Sequence, residues 1–171
     1  MLPDAAYAEW DGIADAIRRA IAAPPAEPVV PGTMDAYAGT PLPRKLGVGP
    51  GTRVLLFDAP PGFEAALAPL PDRANVLRAP AGAIADTARV AILFARSVAD
   101  LEAAFARAAG SLDEKGTVWV AWPKRTSGVA TDLSEAGVRS FGLGRGFVDF
   151  KIASIDQTWS GLRFARRSRT G

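Results

Sequence analysis

The chain has no cysteine and no histidine in 171 residues. The first absence excludes disulfides, thiolate nucleophiles and cysteine-ligated metals. The second excludes serine–histidine and cysteine–histidine nucleophile pairs and the common zinc sites. Acid–base chemistry is left to Asp, Glu, Lys, Tyr or water. An excess of charge of one sign is also missing: 20 Lys and Arg stand against 18 Asp and Glu, a net charge of +2. The pI near 9.3 follows from Arg-heavy basic residues with no histidine to buffer the middle range. It lends little support to nucleic acid as a partner. The longest apolar run, Val90 to Ala95, is far too short to span a membrane. The start, MLPDAAYAEW, lacks the basic residues and apolar stretch of a signal peptide. A cytoplasmic protein with no membrane segment is the expectation.

What is present reads as one domain with a small appendage. A chain of this length buries about 70% of its unfolded surface, enough for a core without staples. Residues 4–23 have helical spacing at Trp10, Ile13, Ile17 and Ile21, with charges mostly on the other side. This helix either packs on its own domain, the favoured reading, or serves a homo-oligomer or a partner. Pro24 to Gly32 breaks it as an extended linker. The domain division is therefore residues 1–32 and 33–171.

Further on, Thr40-Pro41 opens a short helix closed by Gly47. Strands are predicted over Arg53–Phe57, Asn75–Arg78, Val90–Ala95 and Thr117–Trp122, with helices over 64–68, 97–109 and from Asp132 to about 142–146. Ser97 and Asp100 have capping-box spacing. Two closing strands, 147–155 and 158–166, are separated by Asp156-Gln157 and read as an antiparallel hairpin. This alternation predicts an α/β fold: a three-layer, Rossmann-like, mainly parallel sheet with a C-terminal antiparallel hairpin.

The segment WVAWPKRTSGVATDL, residues 119–133, organises the candidate site. It reads as a buried strand, a donor-rich loop, and a helix start at Thr131-Asp132. Ligands of open α/β sheets sit beyond the carboxyl ends of the strands. Four segments end there: 58–63, 78–82, 96–97 and 122–132. From them Asp58, Gly62, Trp122, Lys124, Ser127, Gly128 and Asp132 are singled out as ligand-binding candidates. Lys124, Ser127 and Gly128 suit an anion near a helix N-terminus, although capping and loop anchoring are favoured. Asp58 is either a working carboxylate or an Asx turn before Pro60-Pro61. Trp119 and Trp122 fall on opposite faces of a strand, and Trp122 is the better one to face a pocket. Trp159 is expected to seal a sheet edge.

The element order resembles the Rossmann-like fold of S-adenosylmethionine-dependent methyltransferases. LGVGPGTRVL, residues 46–55, is similar to the lead-in to their first strand. The resemblance implies an acidic strand end, a glycine-rich turn close under the cofactor, and an acidic end to the second strand. Here those positions hold Leu56, Asp58-Ala59-Pro60-Pro61-Gly62 and Arg78-Ala79-Pro80. Prolines remove backbone donors and side chains block close approach. No cofactor is assigned on this basis, and S-adenosylmethionine is a doubtful one.

Other stretches resemble an uncharacterised bacterial domain-of-unknown-function family, number 3052. They are YAGTPL from Tyr37, RVLL with PGF from Arg53, WVAWPK with SGV from Trp119, TDL from Thr131, and DQTWSGL from Asp156. The match spans roughly residues 36–166. It implies the methyltransferase-like fold and no activity. With no catalytic motif, the expected function is a non-catalytic module binding a small molecule or a protein. The alternative is a divergent methyltransferase with Asp58 as base and Lys124 and Ser127 positioning substrate. Nucleic-acid binding ranks last.

Overall fold

The computed structural model describes residues 39–85 and 87–168. The helix read at residues 4–23, the linker and the boundary at residue 32 lie outside the described residues.

Six strands build one sheet: β1 (Arg53–Phe57), β2 (Asn75–Arg78), β3 (Ala88–Phe94), β4 (Leu112–Pro123), β5 (Phe147–Ser154) and β6 (Trp159–Arg166). Their order is β2-β1-β3-β4-β6-β5. The first four run parallel. β6 returns antiparallel beside β4, and β5 forms the edge beyond it. The helices are α1 (Leu42–Leu46), α2 (Phe63–Ala66), α3 (Val98–Gly110) and α4 (Glu135–Gly144). The three-layer, mainly parallel sheet with a closing hairpin is the fold the element order predicts.

The central strands are apolar without alternation because both faces are covered. Leu55, Phe57, Leu93, Val118, Val120 and Trp122 pack with Leu101, Phe105 and Val138 of α3 and α4. Val54, Leu56, Ile92, Phe94, Trp119 and Ala121 pack with Leu46 of α1 and Phe63 of α2. Trp119 and Trp122 thus lie on opposite faces, as their spacing requires.

Several boundaries differ from the sequence reading. Pro41, not Thr40, is the N-cap of α1, and no side chain caps it. Gly47 closes α1 in the left-handed conformation, φ +81°, as expected. β4 begins at Leu112 rather than Thr117, pairing with Ala88 across an irregular stretch. Its polar residues Asp113, Glu114 and Lys115 mask the strand from pattern reading. Helix α3 does carry the capping box: Ser97 Oγ accepts from Asp100 N at 3.1 Å, and Asp100 accepts from Ser97 N at 3.0 Å. The backbone N–H of Arg96 is the main cause holding the Asp100 carboxyl below its usual range, with Ser97 adding to it.

The largest revision concerns Asp132. α4 starts at Glu135, capped by Ser134. Asp132 reaches across to α3 instead, accepting from Val98 N at 2.8 Å. An acid at the first residue of a helix satisfies an orphan donor and suits the positive end of the dipole. The carboxylate is a cap, but for the helix of the neighbouring crossover.

Candidate functional site

β1 sits between β2 and β3. The chain leaves β1 for one neighbour and later returns on the other side. A crevice must open there beyond the carboxyl ends of the strands. The structure has a cleft of ≈ 560 Å³ at this place. Asp58 to Pro61 supply one wall, Phe94 ends β3 and Arg96 follows it, and Trp159 completes the rim. The floor is a single face of α3: Asp100, Ala103, Ala104 and Arg107, at helical spacing i, i+3, i+4, i+7.

Asp58 is held at φ +52°. Short polar side chains tolerate this left-handed region better than most, but it remains uncommon outside glycine. Such outliers cluster where function over-determines the backbone. The Asp58 carboxylate has no hydrogen-bond or ion-pair partner among the described residues. The Arg96 guanidinium likewise makes no hydrogen bond or ion pair, and acts on Asp100 only through space. Arg107 donates to Pro80 O and lies 5.7 Å over the Phe57 ring. The apolar wall is a run of edge-to-face aromatics. Phe63 and Phe94 are 4.7 Å apart, and Phe94 and Trp159 are 5.0 Å apart.

Arg78 stands where the methyltransferase resemblance implies an acid. Its guanidinium donates to Ala59 O at 2.8 Å, to Pro60 O at 2.9 Å, and to both Glu64 oxygens at 2.6 and 2.9 Å. Hydrogen bonding to Arg78 holds the Glu64 carboxyl below its usual range.

Of the residues singled out in the sequence, Asp58 lines the cleft. Gly62 follows its wall as the left-handed N-cap of α2, φ +77°. Trp122, expected to face a pocket, does not line the cleft: the α3 and α4 side of the sheet is covered, and it packs there in the core. Lys124 Nζ donates to Ser154 Oγ at 2.6 Å and to Asp156 O. Ser127 Oγ donates to Lys124 O at 2.7 Å and accepts from Val129 N at 3.2 Å. Gly128 turns the chain at φ +75°. Lys124 ties the β4 loop to the β5–β6 connection, while Ser127 and Gly128 shape the loop itself. Trp159 is not at a sheet edge, since β6 is flanked by β4 and β5. It reaches the cleft because Asp156 Oδ1 accepts from Thr158 N and Trp159 N at 2.7 and 2.8 Å. Arg107 escaped the sequence reading, although the Asp100–Arg107 helical face was a usable signal; Trp159 was read as edge packing, because nothing local places it at a cleft.

No family model and no curated protein matches the sequence, so membership of family 3052 finds no support here. Solved structures do match. A DhpI complex with S-adenosylhomocysteine aligns with TM-score 0.55 at 13% identity, over 82% of this chain and 89% of that one. The ribosomal protein L11 methylase of Lactobacillus delbrueckii subsp. bulgaricus aligns with TM-score 0.54 at 13% identity, over 75% of each chain. The magnesium protoporphyrin IX methyltransferase of Synechocystis PCC 6803, with bound S-adenosylhomocysteine, gives TM-score 0.51 at 8% identity, over 92% of this chain and 96% of that one.

The fold is that of the S-adenosylmethionine-dependent methyltransferases.

This corrects the expectation of a non-catalytic binding module. The structural neighbours are methyltransferases, several holding S-adenosylmethionine or S-adenosylhomocysteine, and they favour the alternative reading, a divergent methyltransferase. Neighbours bound to S-adenosylmethionine or S-adenosylhomocysteine stand against the doubt that the glycine count raises. No helix among the described residues is long and apolar enough to cross a membrane.

Proposed function

We propose that this protein is a divergent S-adenosylmethionine-dependent methyltransferase, with its cofactor site in the cleft between the ends of β1 and β3. The observation that carries this reading is that the cleft at the switch point of a methyltransferase-type sheet is lined by both a carboxylate, Asp58, and a guanidinium, Arg96, neither of them hydrogen-bonded or ion-paired among the described residues. An α-amino acid presents one ammonium and one carboxylate, and the methionine end of the cofactor is such a zwitterion. Asp58 suits the ammonium and Arg96 the carboxylate, each as a charge-assisted hydrogen bond. Phe94 and Trp159 offer an apolar wall that sheds water. The cleft volume of ≈ 560 Å³ falls within the roughly 300–1,000 Å³ usual for small-molecule sites.

When bound, the cofactor supplies a methyl group on a positively charged sulfur. The chain's part is to orient that group against an acceptor and to exclude water. Without histidine, a proton leaving the acceptor goes to Asp, Glu, Lys, Tyr or water.

Thermal unfolding with and without S-adenosylmethionine and S-adenosylhomocysteine tests the reading. Ligand at 100 times its dissociation constant stabilises by about 2.7 kcal/mol. For a chain of this size the expected rise in melting temperature is roughly 5–10 °C. No rise with either compound at millimolar concentration would remove the cofactor from the proposal.

A further inference from the structure

The geometry points to Arg78 as the positioning residue of the cleft's β1–α2 turn, an inference that rests on the cofactor reading above. Arg78 is the last residue of β2, in register with Leu56 of β1. From there its fork spans the turn. It holds the carbonyls of Ala59 and Pro60, both residues of the cleft wall. The turn has little of its own to hold it. Pro60 and Pro61 have no N–H to donate, and its internal bond is Phe63 N to Pro60 O at 3.2 Å. Whatever the turn presents to a ligand, including the Asp58 side chain, is placed by a guanidinium on the neighbouring strand.

The ion pair with Glu64 is a separate matter. Its two side chains are 45% and 40% exposed, and exposed pairs contribute little to stability. Glu64 aims the fork, while the two carbonyl contacts do the positioning. Lysine cannot replace the fork, because one ammonium has no planar set of donors to share between two carbonyls and a carboxylate. A turn lacking repeated glycines is thus fixed from outside, and Arg78 takes the strand end where the methyltransferase resemblance implies an acid.

Three variants of the full-length protein separate these roles: Arg78→Ala, Arg78→Lys and Glu64→Gln. Hydrogen exchange of the Ala59, Gly62 and Phe63 amides is read without ligand, and S-adenosylmethionine affinity is read by calorimetry. Arg78→Ala is expected to speed exchange in the turn and weaken the cofactor by about tenfold or more. Its melting temperature should stay within a few degrees of wild type, since the side chain is exposed. Arg78→Lys is expected to rescue neither readout. Glu64→Gln should keep affinity within about threefold, because both carbonyl contacts remain. Unchanged exchange in Arg78→Ala would overturn the inference. So would Glu64→Gln weakening binding as much as Arg78→Ala, which would assign the effect to the ion pair. If the wild-type protein binds no cofactor, the methyltransferase reading fails on its own, and the exchange data still decide whether Arg78 holds the turn.

Discussion

Trp119→Ala is expected to destabilise the protein by about 3–5 kcal/mol, as large aromatic truncations in cores do. Trp119 is fully buried and joins three elements. Its indole N–H donates to Leu46 O at the end of α1, at 2.9 Å. Its ring lies against Gly161 of β6, where an added Cβ would come within 3.1 Å of it. Arg163 crosses the ring at 5.9 Å. Emptying this position leaves a cavity in the middle of β4 and an orphaned carbonyl on α1. Against a total stability of about 5–15 kcal/mol, the loss is a large share. It corresponds to roughly 6–20 °C in melting temperature. Trp119→Phe isolates the polar part. It keeps much of the ring but leaves Leu46 O unpaired, a loss of about 1–3 kcal/mol. Urea unfolding of the two variants measures both figures. A loss below about 1 kcal/mol for Trp119→Ala would contradict the central place given to this residue.

The second large effect is on binding. Asp58→Asn is expected to weaken S-adenosylmethionine by about 10- to 150-fold, the usual worth of a hydrogen bond to a charged group. Asparagine is the right substitution because it also tolerates the left-handed backbone at φ +52°. The shape of the turn is kept while the charge is removed. Stability should hardly change, since no described residue pairs with this carboxylate. Calorimetric titration checks the affinity, and activity on any acceptor found checks the role. Wild-type affinity with lost turnover would move Asp58 from cofactor binding to proton transfer. Wild-type affinity with full turnover would take it out of the site.

How much of this was readable in the sequence depended on distance along the chain. β1 falls at the predicted residues because it is a short apolar run between turn signals, and β2 because Val76-Leu77 stands between Pro71-Asp72 and Pro80. The α3 capping box was legible because Ser97 and Asp100 need only each other's backbone. The hairpin was legible from the Asp156-Gln157 turn signal, although the strands stop at Ser154 and resume at Trp159, leaving four residues between them where the sequence suggests two. Asp132 was misread for the opposite reason. Its partner, Val98 N, is 34 residues away, and a nearer helix offered a plausible local role. Lys124 reads in the sequence as a loop anchor ahead of an anion donor, but its partners, Ser154 and Asp156, are 30 and 32 residues away and only the fold names them. Trp159 looked like edge packing because strand order is not local information. Arg78 was legible only as a departure. What it does depends on the carbonyls of a turn 18 and 19 residues earlier. Elements follow from neighbours in sequence, whereas this site is made of neighbours in space.

The placement of Trp119 and Trp122 on opposite faces of β4 has an optical consequence. Each layer of helices covers its own fluorophore. Emission from Trp119 reports the α1–α2 side, and emission from Trp122 reports the α3–α4 side. Phenylalanine at one position lets the other be watched over the emission of Trp159, beside the cleft, and of Trp10. If the two layers melt as one unit, the Trp119→Phe and Trp122→Phe variants will each show one transition shared by fluorescence and circular dichroism. Separate midpoints would mean that the sheet keeps one coat of helices after shedding the other.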